Sequence, residues 1–246
     1  MTILVTGSTG QLGSPTLAAL RAAGRDARGI SRSGRDGSTS ADLATGAGVA
    51  AALRGVDTVV HCAQTRGKRD PQLARTLVES AKAAGVGHLV LISIVGIEQI
   101  SMPYYRQRVE IEHIIENSGI PVTIQRATQF HSLIDGLFSA QRFLPVIVLP
   151  ASLFQPIAVT EVAERLSALA VGAPQGRVPD IGGPEQLAIR QLHAKWKRAK
   201  RSRRGALVLR LPGKALAGYA TGANFVPGEP YGRSTFDDYL RAKYLS

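Results

Sequence analysis

Short apolar runs alternate with segments of helical periodicity along the first half of the chain. Thr2–Thr6 is an apolar run that ends at a glycine cluster, which is typical of a strand buried on both faces. Gln11–Ala23 is helical in pattern and stops at Gly24. The same alternation predicts strands over Asp26–Ser31, Asp57–Ala63, His88–Ser93 and Val122–Arg126, and helices over Val49–Arg54, Pro71–Ala84 and Pro103–Ser118.

Strands that alternate with helices of this length predict an α/β fold with a doubly wound parallel sheet. After about residue 130 the pattern loosens, so we predict a nucleotide-binding core over 1–130 and a smaller α/β part over 131–246 that covers a substrate. Thr235 and Asp238 have the spacing of a capping box. In this second part we predict helices over Thr160–Val171, Ile189–Lys200 and Thr235–Tyr244, and strands over Arg177–Ile181 and Leu207–Leu211.

Composition excludes several classes of protein. The 246 residues contain 44% hydrophobic residues and one cysteine, Cys62, so no intrachain disulfide can form. No Cys/His cluster has metal-ligand spacing, and we therefore expect no metal site. The longest apolar region, Phe143–Val159, is interrupted by three prolines and is too short to cross a bilayer. With no charged leader before an apolar stretch, we expect a cytoplasmic protein.

The formal charge of +12 needs a separate explanation. Seven of the 30 Lys and Arg residues lie between Lys195 and Arg204. This run fits contact with nucleic acid or anionic lipid, and it also fits a solvated helix end, where cations suit the helix dipole. Only Trp196 interrupts it as an aromatic, and no DNA-binding motif accompanies it. We therefore do not expect nucleic acid as a partner.

A glycine-rich turn joins the first predicted strand to the first helix. Gly7 permits the tight turn, Gly10 allows the backbone to approach a pyrophosphate, and Gly13 allows close contact between helix and strand. The helix N-terminus then offers free N–H groups to phosphates. The turn predicts dinucleotide binding by Gly7, Ser8, Thr9, Gly10, Gln11, Leu12 and Gly13.

The end of the second strand bears on which cofactor is bound. NAD-binding proteins place an acidic residue here, on the ribose 2′-hydroxyl, whereas this chain has Ser31, Arg32 and Ser33. Arg32 can pair with a 2′-phosphate and the serines can donate hydroxyl hydrogen bonds. The alternative is that Arg32 and Arg35 are solvated loop cations. The pattern favours NADP(H) over NAD.

Three segments, Leu89–Gly96, Tyr104–Glu112 and Gln125–His131, combine with this turn. Together they resemble the atypical short-chain dehydrogenase/reductases and, within them, the NmrA-like NAD(P)-binding proteins. The resemblance implies a Rossmann-type fold, NADP(H) binding and reductase activity. It also implies that Asp42 and Leu43 lie beside adenine. Because Ala63 and Gln64 end a predicted strand, we expect their backbone to contact the cofactor as well.

The resemblance places the family's active-site tyrosine at Tyr104 and puts Arg108 where the family has a lysine. Positions four apart share a helix face, so Tyr104 and Arg108 can converge on one ligand. In this scheme Tyr104 donates a proton to the reduced substrate, Ser93 orients its carbonyl, and Arg108 supplies charge. Arginine does not readily release a proton, which removes a lysine-type relay. Tyr105 takes the place of Tyr104 if the helix starts one residue later.

Three residues that follow a predicted strand, Gln129, Phe130 and His131, are candidates for substrate contact, because ligands bind at the carboxyl ends of such strands. His131 can equally bond a backbone group, and Phe130 can pack in the core. We expect Cys62 to be a small buried hydrophobe. Four apolar side chains either line an apolar pocket or pack the second part of the chain: Phe138, Phe143, Leu149 and Phe154.

The sequence thus predicts an NADPH-dependent reductase acting on a small, apolar carbonyl, enone or quinone-like molecule. The alternative is a non-catalytic NADP(H)-binding sensor that signals through a protein partner, and the missing lysine at position 108 favours it. A third hypothesis, a nucleic-acid-binding protein, depends only on the basic run. The oligomeric state is left open.

Overall fold

A computed structural model describes residues 1–65 and 67–245. The chain divides into two compact units, each made of several segments. Unit 1 comprises Met1–Ser93, Pro103–Arg126 and Val159–Pro179, and unit 2 comprises Ile94–Met102, Ala127–Ala158 and the chain from Asp180 onward. Among the described residues, no helix is both long enough and apolar enough to cross a membrane.

Unit 1 is organised on a seven-stranded parallel sheet. Its strands are β1 (Thr2–Thr6), β2 (Asp26–Ser31), β3 (Thr39–Ser40), β4 (Thr58–His61), β5 (His88–Ile94), β6 (Val122–Ala127) and, by chain order, β9 (Gly176–Arg177). They lie in the order β3-β2-β1-β4-β5-β6-β9. This is the Rossmann order with one added strand, and it confirms the predicted fold class.

Five helices belong to unit 1, and their apolar faces pack on the sheet. They are α1 (Gly13–Ala22), α2 (Val49–Ala52), α3 (Asp70–Ala83), α4 (Pro103–Glu116) and α6 (Val159–Val171). Leu4, Val59 and Leu89 from neighbouring strands pack against Leu77 and Ile111 in one buried cluster. The predicted helices and strands of residues 1–126 are confirmed to within two residues at each end, because strands buried on both faces leave clear apolar runs.

Unit 2 contains smaller sheets and the remaining helices. Strands β7 (Val146–Pro150) and β11 (Gly205–Leu209) form a parallel pair, and β8 (Leu153–Phe154) and β10 (Leu187–Ala188) an antiparallel pair. The helices are α5 (His131–Ser139), α7 (Ile189–Ala199), α8 (Lys214–Ala220) and α9 (Phe236–Tyr244). The predicted α9 capping box is confirmed: Thr235 Oγ1 accepts a hydrogen bond from Asp238 N at 3.1 Å.

The two units differ from the predicted division at residue 130. Residues 159–179 belong to unit 1 because α6 packs against α1 and β9 pairs with β6. The apolar positions of α6, among them Val162, Leu166 and Leu169, are buried on that side. No single boundary along the sequence therefore separates the two units, because each contains several segments of the chain.

A buried carboxylate organises the core of unit 2. Asp135 on α5 is 2% exposed and accepts hydrogen bonds from Trp196 Nε1 (2.8 Å), Tyr244 OH (2.7 Å), Tyr239 OH (3.1 Å) and Lys243 Nζ (2.5 Å). Three of these donors lie on α9 and one on α7. One side chain thus ties three helices together, and every lone-pair direction of the buried charge is occupied.

Candidate functional site

The glycine turn after β1 is closely packed against backbone on two sides. Gly7 has a φ of 64°, and a Cβ atom there would lie 2.8 Å from Ala63 Cα. A Cβ at Gly13 would lie 2.2 Å from Gly7 O. Neither position tolerates a side chain, so the turn brings bare backbone to the start of α1.

In the first turn of α1, Pro15 has no N–H, and Ser14 N and Thr16 N donate to Gly10 O and Leu12 O at 3.0 Å. The backbone that can approach a ligand is therefore that of the turn itself. This cradle fits a pyrophosphate.

A buried hydroxyl fixes the ends of β1 and β4 together beside this turn. Thr6 Oγ1 accepts from Cys62 N (3.2 Å) and Ala63 N (3.1 Å), and it lies 2.9 Å from His61 Nδ1. With both lone pairs used, the hydroxyl donates its proton to His61 Nδ1. Burial, with Arg108 as a second cause, lowers the pKa of His61 to about 3. His61 is therefore a neutral acceptor that holds the strand ends in place.

The loop after β2 places two arginines in solvent. Ser31 is buried and accepts from Gly34 N at 3.1 Å, whereas Arg32 and Arg35 are exposed. Ser8 donates to Ile30 O at 3.0 Å and so ties the glycine turn to the end of β2, just before this loop. The two arginine side chains are free to rotate toward a ligand phosphate. The Ser31 hydroxyl is occupied by the Gly34 N–H of its own loop.

The other predicted cofactor residues lie at the same edge of the sheet. Asp42 Oδ1 accepts from Ala44 N at 2.9 Å, and Leu43 is buried in the core of unit 1. Ala63 is half-buried and Gln64 is exposed, directly after β4. The adenine role of Asp42 and Leu43 and the contact through Ala63 and Gln64 stay predictions.

Two buried polar groups at the end of β5 have no hydrogen-bond partner among the described residues: Ser93 Oγ and Arg108 Nε. Ser93 is 2% exposed and Arg108 is 4% exposed. Arg108 Nη2 donates to Ile92 O, next to Ser93, so both groups lie at the same strand end. An unpaired buried polar group is costly, and a ligand with acceptor and donor atoms would satisfy both.

Tyr104 lies one turn before Arg108 on α4. Its hydroxyl donates to Gln64 Oε1 at 2.6 Å, and its ring is half-buried. Tyr105 is only 3% exposed, which favours Tyr104 as the tyrosine that reaches a ligand. The hydrogen bond puts the Tyr104 hydroxyl at the end of β4, the neighbour of the strand that carries Ser93.

Glu112, Arg126 and Asp70 support this arrangement, although no pattern along the sequence singles them out. Glu112, one turn after Arg108, receives a buried two-point bond from Arg126 at 2.8 and 2.5 Å, so its carboxylate is engaged. Asp70 accepts from Thr65 N and Oγ1 at 2.7 and 2.5 Å and anchors the segment next to Gln64 to the start of α3. Only tertiary contacts identify these partners.

The predicted substrate residues lie in unit 2, at the start of α5. Gln129 Oε1 accepts from Asn224 Nδ2 at 3.0 Å, and His131 Nε2 donates to Ser234 O at 3.1 Å. His131 also stacks on Phe236. These contacts favour backbone anchoring for His131, and Phe130 is half-buried. The role of these residues toward substrate stays a prediction.

The remaining candidates are resolved by burial. Cys62 is 9% exposed, and burial raises the pKa of its thiol to about 12, so the thiol remains protonated. Phe138, Leu149 and Phe154 pack in the core of unit 2, while Phe143 is exposed. Among the residues that the structure describes, no group of His, Cys, Asp or Glu could hold a metal ion.

Comparison with known proteins agrees with this geometry. A family model described as NAD(P)H-binding matches residues 7–133. No protein with a curated description matches the sequence.

Solved structures match over the whole chain. An NADPH complex of the NADPH-dependent quinone oxidoreductase of Escherichia coli has a TM-score of 0.79 and 17% identity, over 99% of this chain and all of that chain. The triphenylmethane reductase of Citrobacter sp. has a TM-score of 0.82 and 14% identity over both full chains. A UDP-glucose-4-epimerase from Stenotrophomonas maltophila with bound NAD has a TM-score of 0.76 and 16% identity, over 100% and 97%. At these identities the likeness shows the fold.

Proposed function

The chain belongs to the NAD(P)H-binding family, as the predicted resemblance to the atypical short-chain dehydrogenase/reductases implied, and from this premise we propose that it is an NADPH-dependent reductase. The observation that carries the proposal is the pair of buried, unpartnered groups on Ser93 and Arg108. Tyr104 lies one helical turn before Arg108 on the same helix. Buried polar groups are usually hydrogen-bonded, so two unsatisfied groups at the end of one strand support a ligand there. The proposed substrate is a small apolar carbonyl, enone or quinone-like molecule.

The cofactor is held by the glycine turn in this proposal. Gly7, Gly10 and Gly13 admit the pyrophosphate, and backbone N–H groups of the turn before α1 bond its oxygens. When bound, NADPH supplies a hydride from nicotinamide C4. The unpaired Arg108 Nε and Ser93 Oγ then serve as hydrogen-bonding groups for the bound molecules.

The chain's own residues supply the proton and orient the carbonyl. Ser93 Oγ donates to the substrate oxygen and polarises it. Tyr104 exchanges its bond to Gln64 Oε1 for the same oxygen and transfers the phenolic proton to it as negative charge develops. Arg108 stabilises the resulting phenolate by its charge. Because Arg108 keeps its own proton, solvent must reprotonate Tyr104.

Two of the compared proteins support this class of substrate, since they are described as acting on quinones and triphenylmethane dyes. Oxidation of NADPH followed by absorbance at 340 nm, with quinones, enones and apolar aldehydes and ketones, tests the proposal. We expect turnover with at least one quinone or enone. Tight NADPH binding with no oxidation across all of these classes would contradict it.

That contrary result would favour the second candidate, a sensor of the NADP(H) state. The observation that favours a sensor is Arg108 itself, which is buried, bonded to Ile92 O and unable to relay a proton as a lysine does. A sensor would bind NADPH and NADP⁺ with different affinities and leave both unchanged.

We further propose NADP(H) rather than NAD(H), with Arg32 as the residue that pairs with the 2′-phosphate. Loss of a charge-assisted hydrogen bond of about 1.5–3 kcal/mol predicts that Arg32→Ala raises the Kd for NADPH by about 10- to 100-fold. The Kd for NADH stays unchanged, because NADH has no such phosphate. NADPH fluorescence titration measures both values.

Arg54→Ala is the matched control, since Arg54 is also an exposed arginine of unit 1. It should leave both dissociation constants unchanged. An Arg32→Ala variant that loses NADPH and NADH affinity equally, or neither, would exclude the pairing with the 2′-phosphate.

A further inference from the structure

The two-stranded sheet β7–β11 has one buried face and one face exposed to solvent. Ile147 and Leu149 point into the core of unit 2 and are at most 2% exposed. Their neighbours Val146 and Val148 are 42% exposed, and Leu207, which pairs with Val148, is 51% exposed. Alternation along a strand puts these three side chains on the same outer face.

The loop before β7 extends this apolar face. Phe143 is 82% exposed and Leu144 is 46% exposed, and Pro145 beside them is exposed too. The Arg142 guanidinium lies 4.4 Å from the centre of the Phe143 ring. We call the set Phe143, Leu144, Val146, Val148 and Leu207 the outer apolar face.

Cations border the outer apolar face on the β11 side. Arg203 continues the exposed alternation of Gly205 and Leu207, and Arg201 is exposed just before it. Arg204 turns the other way, and its Nη1 donates to Gln141 O at 2.6 Å, which joins the basic run directly to the loop that carries Phe143. Exposed arginines thus directly precede the exposed apolar positions of β11 along the chain.

The structure separates the basic run into engaged and unengaged cations. Lys195 bonds Glu185 and Asp237 at 2.8 and 2.5 Å, and Arg198 lies 3.5 Å from Asp237. Five cations of the run form no ion pair within the described part of the chain. Lys200 lies over the Trp196 and Tyr244 rings and Arg204 bonds Gln141 O, which leaves three unengaged cations: Lys197, Arg201 and Arg203. The two unengaged arginines are those next to the outer apolar face.

We propose that the outer apolar face and its arginine border dock this protein on an anionic phospholipid surface. Aliphatic and phenyl side chains enter the boundary between headgroups and acyl chains, while Arg201 and Arg203 pair with lipid phosphates. Nucleic acid would leave Leu144, Val146 and Leu207 against a polar, charged surface. A second copy docked through the same surface would bring two positively charged borders together, in a chain of net charge +12.

Sedimentation with phosphatidylcholine vesicles, with and without phosphatidylglycerol, tests this. We expect binding only where phosphatidylglycerol is present, and weaker binding at high salt. Phe143→Ser with Leu144→Ser, and separately Arg201→Glu with Arg203→Glu, should each lower the vesicle affinity about tenfold or more. A Phe143→Trp variant should show a blue shift of its emission on these vesicles, because the ring leaves water.

Arg25→Glu with Arg54→Glu is the matched control: it makes the same change of net charge at exposed arginines of unit 1 and should keep vesicle binding. Circular dichroism and Tm verify that each variant is folded. The proposal is overturned if phosphatidylglycerol vesicles do not bind the protein at low salt, or if the control loses binding equally. It also fails if duplex DNA displaces the vesicles while the Phe143 and Leu144 changes have no effect, or if those changes convert a dimer to a monomer.

Discussion

Replacing Tyr104 by phenylalanine is expected to lower kcat by about 10²- to 10⁴-fold for any carbonyl or quinone that the protein reduces. The phenyl ring keeps its place on α4, but the proton for the developing oxyanion and the hydrogen bond to Gln64 Oε1 are both lost. The Kd for NADPH should stay within about twofold, because the glycine turn that holds the pyrophosphate is untouched. Steady-state kinetics and fluorescence titration measure the two quantities separately.

Tyr231→Phe is the matched control, since Tyr231 is exposed in unit 2. It should retain full kcat. A second comparison, Gln64→Ala, removes the acceptor that holds the Tyr104 hydroxyl and should change kcat by a smaller factor. If Tyr104→Phe turns over a good substrate at the normal rate, Tyr104 is not the general acid.

Replacing Asp135 by asparagine is expected to destabilise the protein by about 3 kcal/mol, since it leaves Lys243 and two tyrosine hydroxyls without their buried acceptor charge. Lys243 is half-exposed, which places the value at the lower end of the range for broken buried pairs. For a chain of this size the expected fall in Tm is about 6–12 °C. Thermal unfolding at neutral pH measures it.

The same carboxylate predicts a pH dependence of stability. Burial alone would raise the pKa of Asp135, but hydrogen bonds from Lys243, Tyr244 and Trp196 outweigh it and lower the pKa to about 2. The unfolded chain has the ordinary value near 4. The contribution of Asp135 to stability is therefore complete above about pH 4 and is lost as the pH falls from 4 toward 2.

The difference in Tm between the wild type and Asp135→Asn should therefore shrink at low pH. Asp36→Asn is the control, because Asp36 is exposed and its φ of 55° suits asparagine. It should leave Tm unchanged at every pH. An Asp135→Asn variant as stable as the wild type at neutral pH would show that α9 is held by its apolar contacts alone.

The sequence predicted the sheet of unit 1 well and unit 2 only in part, for a physical reason. In unit 2, α7, α9 and β11 lie within two residues of their predicted bounds, whereas α5, α8, β7, β8 and β10 were not predicted. Strands such as β1 and β4 are buried on both faces and appear as apolar runs. Strand β7 is apolar on its exposed side too, and prolines surround it, so its alternation was hidden. Helix α8 has no buried residue at all and therefore no apolar stripe to recognise.

The candidate site also has one part that the sequence predicts and one part that it does not. The glycine turn can be recognised from neighbouring residues of the sequence. The spacing of Gly7 and Gly13 predicts closely packed backbone, and the structure shows it against Ala63 and within the turn. By contrast, the bond between Tyr104 and Gln64 joins residues 40 positions apart. No local pattern in a single sequence indicates that two such distant residues are in contact, and only the folded chain shows it.

Residues 159–179 complete unit 1 only after a segment of unit 2 has been synthesised, and this order affects folding during translation. Helix α6 covers α1 and β9 extends the sheet beyond β6, yet both come from residues 159–179, after the unit 2 segments Ile94–Met102 and Ala127–Ala158. A nascent chain that has emerged only to residue 130 carries the whole glycine turn, but the side of α1 that α6 covers is still bare. Apolar surface left open in this way invites aggregation. The cofactor cradle therefore gains its full support only when residues 159–179 have also left the ribosome.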